Sequence, residues 1–195
     1  MATLDLMVPV VPEEPPPADL TMAPRRGFPD GVRLTLIDNG KPRARDLLLL
    51  IADGLRQRLP IASVEVFNKG SASRVIDEAE IAAIAASSDA VIAGLGDCGA
   101  CSACSLGDAL KMEGAGVPAT VVISDVFIGH IASFSVTMGL PGYHNAVVPH
   151  PVSSKDDAQL AAYAASVVDV VATQLAGDTV DAVAAPEAEF AAARR

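Results

Sequence analysis

From residue 32 onward the chain alternates short apolar runs with longer segments of helical periodicity. Strand-like runs occupy residues 33–38, 62–68, 89–95, 118–125 and 146–148. A helix-like segment follows each run, at residues 43–59, 77–87, 102–114, 130–138 and 155–175. Five β-α units in succession predict a parallel sheet with right-handed crossovers and helices on both faces.

The composition supports the same fold class. Hydrophobic residues make up 51% of the chain but aromatic residues only 4%, so Ala, Val, Ile and Leu dominate the apolar content. This composition is typical of helices packed on buried parallel strands. The predicted fold is therefore α/β, with a doubly wound, mostly parallel five-stranded sheet in a flavodoxin-like three-layer sandwich of strand order 2-1-3-4-5.

The pattern divides the chain into three parts. Residues 1–30 are predicted to form an extended Pro-rich arm, residues 31–176 a single α/β catalytic domain, and residues 177–195 an Ala-rich acidic tail. The arm has apolar residues between positions 4 and 11, so a homodimer formed through the arm is one hypothesis, and a loose tail is the alternative.

The net charge and the residues near the start of the chain restrict which binding partners are expected. The net charge is −10, which argues against binding of a nucleic-acid backbone. Arg25 and Arg26 lie near the chain end and are interpreted as solvated charges without a function. The first residues lack the pattern of a secretory signal, and no window has the apolar length of a membrane span, so a cytoplasmic protein without a membrane partner is expected.

The main chemical signal is a cysteine cluster at the end of the third predicted strand. Cys98, Cys101 and Cys104 form C-x-x-C-x-x-C at the start of a helix. A thiol at a helix N-terminus meets free amides and the positive end of the helix dipole, which lower its pKa. Cys98 is therefore the predicted nucleophile and Cys101 the resolving thiol, unless the cysteines only fill buried space in place of alanine.

Other polar residues are expected at the same edge, because the carboxyl ends of parallel strands converge there. His150 lies between two prolines, and together with Asp97 it is a candidate for proton transfer. The alternative for His150 is a packing role, and the alternative for Asp97 is capping of the following helix. For Lys41 and Lys69, the alternative is that they are solvated loop lysines. The predicted substrate-binding residues are Asn39, Lys41, Lys69, Gly99, Ser102 and Asp125.

The sequence leaves two interpretations open for a metal or cofactor. No metal or cofactor is predicted in the first interpretation, and no complete dinucleotide or P-loop motif is present. In the alternative, Cys98, Cys101 and Cys104 bind zinc with His150 as fourth ligand, or hold an iron-sulfur cluster.

A family resemblance adds to this interpretation. The segment Asp97-Cys98-Gly99-Ala100-Cys101-Ser102 resembles the signature of the UGSC family, some of whose members have selenocysteine where this chain has Cys98. The spacing is also similar to the selenocysteine motif of component B of glycine, sarcosine and betaine reductases. That similarity implies that Cys98 is the attacking chalcogen. Sulfur at this position and alanine at position 100 are departures from the pattern.

Four functional hypotheses follow. The first is a cysteine-dependent oxidoreductase acting on a small, anionic organic substrate, with a thiol reductant as partner. The second is a lyase, hydratase or hydrolase that uses Cys98 as nucleophile and His150 as base without redox turnover. The third is the metal protein described above. The fourth is a subunit that docks to a larger complex through its N-terminal arm.

Overall fold

The computed structural model describes residues 20–177. In this part of the chain, five strands form one parallel sheet in the order β2-β1-β3-β4-β5. The strands are β1 (Val32–Asp38), β2 (Ile61–Asn68), β3 (Ala90–Gly96), β4 (Ala119–Ser124) and β5 (Ala146–Val148). The predicted doubly wound, flavodoxin-like sheet is confirmed by this strand order.

Helices cover both faces of the sheet. They are α1 (Ala44–Leu55), α2 (Glu78–Ser87), α3 (Gly99–Gly114), α4 (Ile128–Thr137) and α5 (Asp157–Ala176). One core lies between the sheet and helices α1 and α5, and a second lies between the sheet and helices α2, α3 and α4. The result is the predicted three-layer sandwich.

Local sequence explains where the elements lie and end. Every residue of β3 is buried, as its near-continuous apolar run predicts for a central strand. Helices α2 and α5 begin at capping boxes, in which Asp77 and Asp156 accept hydrogen bonds from the backbone amides of Glu80 and Gln159. Helix α3 begins at Gly99, three residues before the predicted start, because it follows β3 after only Asp97 and Cys98.

The described end of the N-terminal arm packs on its own domain. Arg25 forms an ion pair with the buried carboxylate of Glu113, which also accepts a hydrogen bond of 2.7 Å from the amide of Ala23. The interpretation of Arg25 as a solvated charge is therefore wrong, because its guanidinium neutralises a carboxylate in the protein interior. The apolar residues 4–11 and the tail from residue 178 lie outside the described residues.

Helix α5 alone, among residues 20–177, is long and apolar enough to cross a membrane by length and composition. Its apolar side packs in the core with α1 and the sheet, through residues such as Leu160, Val167 and Val171. The core helices of soluble proteins pass the same test of length and composition, so α5 alone does not indicate a membrane span.

Candidate functional site

A close approach of α3 to the sheet puts the cysteines at the carboxyl edge. A Cβ added to Gly96 would lie 2.7 Å from Ile123 Cγ2 and 2.8 Å from Ser102 Oγ. Only glycine fits this gap without displacing a neighbour. Helix α3 can therefore begin almost directly at the end of β3.

Cys98 is the N-cap residue of α3 and is half-buried. Its sulfur accepts a hydrogen bond of 3.2 Å from the backbone amide of Cys101, and the positive charge of Lys41 acts on it. Burial alone raises the pKa of the Cys98 thiol, but the hydrogen bonds from Cys101 and the charge of Lys41 outweigh burial, so the pKa is lowered. Cys98 is thus the thiol that ionises first.

Cys101 lies beneath Cys98 and is fully buried. Its sulfur is 2.7 Å from the sulfur of Cys98 and accepts a hydrogen bond of 3.2 Å from the amide of Asp97. Burial, together with the hydrogen bond and charge of Cys98, raises the pKa of Cys101 to about 11. Both thiols are free, so the pair consists of a more acidic, more accessible thiol and a protonated, buried one.

Asp97 and His150 lie side by side next to the cysteines. The Asp97 carboxylate accepts hydrogen bonds of 3.1 and 3.2 Å from the amide of Val152 and of 3.2 Å from the amide of Ser153. One carboxylate oxygen lies 3.0 Å from His150 Nδ1. Asp97 therefore orients the imidazole and does not cap α3, because Cys98 holds the capping position.

The surroundings of His150 fix its ring. Ser124 Oγ donates to the carbonyl of Gly96 and lies 3.0 Å from His150 Nδ1, where it acts as a second acceptor for an Nδ1 proton. The His150 amide donates to Asp125 Oδ1 at 3.2 Å, and the ring of Phe127 packs edge-on at 5.7 Å. These contacts favour the Nδ1–H tautomer, which leaves Nε2 to exchange protons with a bound molecule.

Asn39 does not offer its side chain to a substrate. It is 1% exposed, and its amide nitrogen donates to the carbonyl of Leu95 at 2.8 Å and to Ser105 Oγ at 3.1 Å. Its Oδ1 accepts the amide of Lys41 at 3.2 Å. The prediction of substrate binding by Asn39 is corrected to a structural role, since its polar atoms all hold the loop that carries Lys41.

Lys69 is likewise removed from the open edge. Its side chain is fully buried in an ion pair with Asp108, and its ammonium also donates to the carbonyl of Arg74 at 2.7 Å. The other oxygen of Asp108 accepts the amide of Ile76 at 2.9 Å. The predicted substrate contact is therefore wrong for Lys69, whose charge is neutralised in the protein interior.

Two further predicted substrate-binding residues differ in accessibility. Ser102 is fully buried against Gly96, and its hydroxyl has no hydrogen-bond partner among the described residues. Its side chain is thus sealed from a substrate. Gly99 is half-buried at the start of α3, where an added Cβ would meet nothing within 4 Å, so its backbone faces open space.

Cys104 stands apart from the other two cysteines. It is half-buried, one helical turn beyond Cys101, and burial raises the pKa of its thiol. Within residues 20–177, no three His, Cys, Asp or Glu side chains converge as metal ligands. The alternative of one metal bound by all three cysteines does not fit this arrangement, because the sulfur of Cys101 is turned inward to Asp97 and Cys98.

The site therefore brings together Cys98, Cys101, Lys41, Asp97 and His150, with Asp125 behind the His150 backbone. Sequence reasoning missed the roles of Ser124 and Phe127, although Ser124 ends β4 and Phe127 follows it at the expected edge. A cleft of about 800 Å³ lies at the opposite end of the sheet, beside Pro24, Phe28 and Pro118. It is remote from the chemistry, since Pro118 precedes β4 while the cysteines follow the carboxyl end of β3.

Of three comparisons with known proteins, the family comparison agrees with the resemblance of the signature segment. No curated protein matches the chain. One similar solved structure is the flavodoxin-like domain of a Synechococcus sp. protein, at 15% identity and a TM-score of 0.41, covering 73% of this chain and 90% of that one. The UGSC family model matches residues 5–177, and the chain therefore belongs to the UGSC family.

Proposed function

We propose that this protein is a thiol-dependent oxidoreductase that acts on a small anionic organic substrate. The proposal depends above all on the sulfur of Cys98, which caps α3, accepts the amide of Cys101 and has its pKa lowered in part by the charge of Lys41. A thiolate stabilised in this way, and half exposed, has the properties of a catalytic nucleophile. A reducing cytoplasm would keep both thiols of the pair in the reduced form.

In the first step, the Cys98 thiolate attacks an electrophilic atom of the substrate and the leaving group departs with its electron pair. Nε2 of His150 takes up the proton of the Cys98 thiol and then passes it to that leaving group, while Asp97 faces the protonated Nδ1. Lys41 and the free amides at Gly99 and Ala100 bind an anionic group of the substrate. These contacts support an anionic substrate class.

In the second step, the Cys101 sulfur attacks the sulfur of Cys98 in the adduct. A Cys98–Cys101 disulfide forms, the bond from Cys98 to the substrate breaks, and the substrate fragment leaves with the electron pair and a proton. The two thiols have then supplied two electrons to the substrate. An external thiol reductant restores the pair by disulfide exchange. The distance of 2.7 Å between the sulfurs supports this route.

A non-redox hydrolase or lyase is the second candidate function. It is favoured by the Asp97–His150 pair, which resembles the orienting half of a catalytic triad. In this mechanism His150 activates water against the Cys98 adduct, and Cys101 takes no part in turnover. Replacement of Cys101 by serine separates the two, because only the redox mechanism loses turnover with that variant.

The substrate class is tested with two probes that transfer similar groups to sulfur, iodoacetate and iodoacetamide. In the wild-type protein, the ratio of the iodoacetate rate to the iodoacetamide rate at Cys98 is expected to exceed the ratio for free cysteine, because Lys41 attracts the carboxylate. Lys41→Met should abolish the difference. The matched control is Lys111→Met, which removes an exposed lysine paired with Glu78. Equal ratios for the wild type and free cysteine would contradict the anionic substrate class.

A further inference from the structure

The side chain of Asn39 connects the loop after β1 to the two elements that meet at the cysteines. Its amide nitrogen donates to the carbonyl of Leu95 at 2.8 Å and to Ser105 Oγ at 3.1 Å. Its Oδ1 accepts the amide of Lys41 at 3.2 Å. Leu95 lies in β3 shortly before Cys98, and Ser105 lies in α3, which begins directly after Cys98. Asn39 therefore ties the loop that carries Lys41 to both sides of Cys98.

The chemistry of these partners requires an asparagine side chain. A backbone carbonyl such as that of Leu95 can only accept a hydrogen bond, whereas the backbone amide of Lys41 can only donate one. The NH₂ group of Asn39 must therefore face Leu95, and its oxygen must face Lys41. Because Asn39 is buried, solvent does not compete for these hydrogen bonds. An aspartate would offer no donor to Leu95, and an alanine would offer neither group.

The end of the neighbouring strand β2 provides a matched comparison. Asn68 ends β2 beside Asp38 of β1, and it is exposed. Its Oδ1 accepts the amide of Gly70 at 2.8 Å, so the Asn68 side chain closes its own turn. In the loop after β1 this task belongs to Asp38, whose Oδ1 accepts the amide of Gly40 at 2.9 Å. The carboxamide of Asn39 is thus left to contact β3 and α3.

We propose that Asn39 is a positioning residue, which holds Lys41 close to the Cys98 sulfur and thereby sets the preference of the site for anionic molecules. This inference rests on the proposed function, in which Lys41 binds the anionic group of the substrate. The charge of Lys41 helps to lower the pKa of Cys98, and the interaction between two charges weakens as their distance increases. Without Asn39, the loop would let Lys41 move over longer distances from both the sulfur and a bound anion.

The experiment measures the rates of iodoacetate and iodoacetamide at Cys98 in the full chain with Asn39→Ala. The ratio of the two rates should fall toward that of free cysteine. The iodoacetamide rate at pH 7 should fall about threefold, which corresponds to a rise of about half a unit in the pKa of Cys98. Asn68→Ala is the control and should keep both wild-type values. If Asn39→Ala does not fold, Ser105→Ala removes a single partner of Asn39 and should change the ratio in the same direction.

The double variant Asn39→Ala/Lys41→Met separates positioning of Lys41 from a general structural role. If Asn39 acts through Lys41, its removal should leave both rates of Lys41→Met unchanged. A further loss of about threefold in the iodoacetamide rate would overturn the inference, because Asn39 would then act on Cys98 by another route. Wild-type ratios in Asn39→Ala and Ser105→Ala would also overturn it, but the proposed function would stand. A wild-type ratio in Lys41→Met alone would overturn the anionic substrate class and this inference together.

Discussion

The sulfur atoms of Cys98 and Cys101 lie 2.7 Å apart, yet their pKa values shift in opposite directions. Cys98 is half-buried and its pKa is lowered, whereas burial raises the pKa of Cys101 to about 11. Two neighbouring thiols share one proton more readily than they lose two, because a second negative charge beside the first is unfavourable. The pair therefore ionises first at Cys98 and keeps its proton at Cys101.

Mild oxidation should convert this pair to a disulfide. A disulfide requires sulfurs about 2.05 Å apart, so the two atoms need only a small movement to bond. Treatment of the protein with one equivalent of hydrogen peroxide, followed by peptide mass spectrometry without reduction, should give a Cys98–Cys101 peptide. Cys104 should stay a free thiol, and Cys104→Ser should oxidise like the wild type. A disulfide that includes Cys104 would contradict the assignment of Cys101 as resolving thiol.

The rate of Cys98 alkylation should depend on pH and on Lys41. The thiolate is the reactive form, so the iodoacetamide rate rises as the pH increases through the lowered pKa of Cys98. Removal of the cation in Lys41→Met destabilises the thiolate and moves this rise to higher pH. At pH 7 the rate should then fall about three- to tenfold, which corresponds to a pKa shift of up to about one unit. An unchanged profile would show that Lys41 does not act on the sulfur, and Lys111→Met should retain the wild-type profile.

The sequence predicts the sheet and the cysteine pair for the same physical reason. Apolar runs such as residues 89–95 must be buried on both faces, and the segments between them have helical patterns, so the strand order follows from packing. Cys98 and Cys101 are local to one strand-to-helix junction. Their relative placement therefore requires no knowledge of distant contacts.

Long-range pairings were not predictable in this way. Lys69 follows a strand as a substrate-binding lysine should, but its ammonium pairs with Asp108, 39 residues later in the chain. Arg25 reaches Glu113 across 88 residues, and Asn39 reaches Ser105 across 66. By residue type alone, each of these three polar side chains could pair with several residues of the chain. Only the packed fold determines which of those partners it meets.

Asp97→Asn should alter the tautomer of His150. The carboxylate lies 3.0 Å from Nδ1 and favours a proton on that nitrogen, whereas an asparagine amide that keeps its oxygen on the Val152 and Ser153 amides turns its NH₂ group toward the ring. The Nδ1–H tautomer should dominate the neutral ring of the wild type in ¹⁵N NMR spectra and lose population in the variant. The free energy of unfolding should also fall by about 1–3 kcal/mol.

The control for this change is Asp53→Asn, which alters an exposed carboxylate on α1. It should leave both the His150 spectrum and the unfolding midpoint unchanged. If Asp97→Asn lowers stability but leaves the imidazole tautomer as in the wild type, Asp97 anchors the loop only, and its positioning role for His150 is excluded.

Variants of the buried ion pair of Lys69 and Asp108 test whether Lys69 has a structural role or binds substrate. Lys69→Met leaves the carboxylate of Asp108 unpaired in the interior, so the free energy of unfolding should decrease by about 3–5 kcal/mol in urea titrations. The double variant Lys69→Met/Asp108→Asn removes that charge and keeps an oxygen for the amide of Ile76. It should recover about 1–3 kcal/mol of the loss.

Cys98 reactivity gives the second measurement on the same variants. The double variant should retain the wild-type ratio of iodoacetate to iodoacetamide rates, because Lys41 and not Lys69 is the lysine that lowers the pKa of Cys98. A lysine that binds the anionic substrate would give the reverse result, with unchanged stability and a lowered rate ratio. Because the side chain of Lys69 is fully buried, we expect the loss of stability.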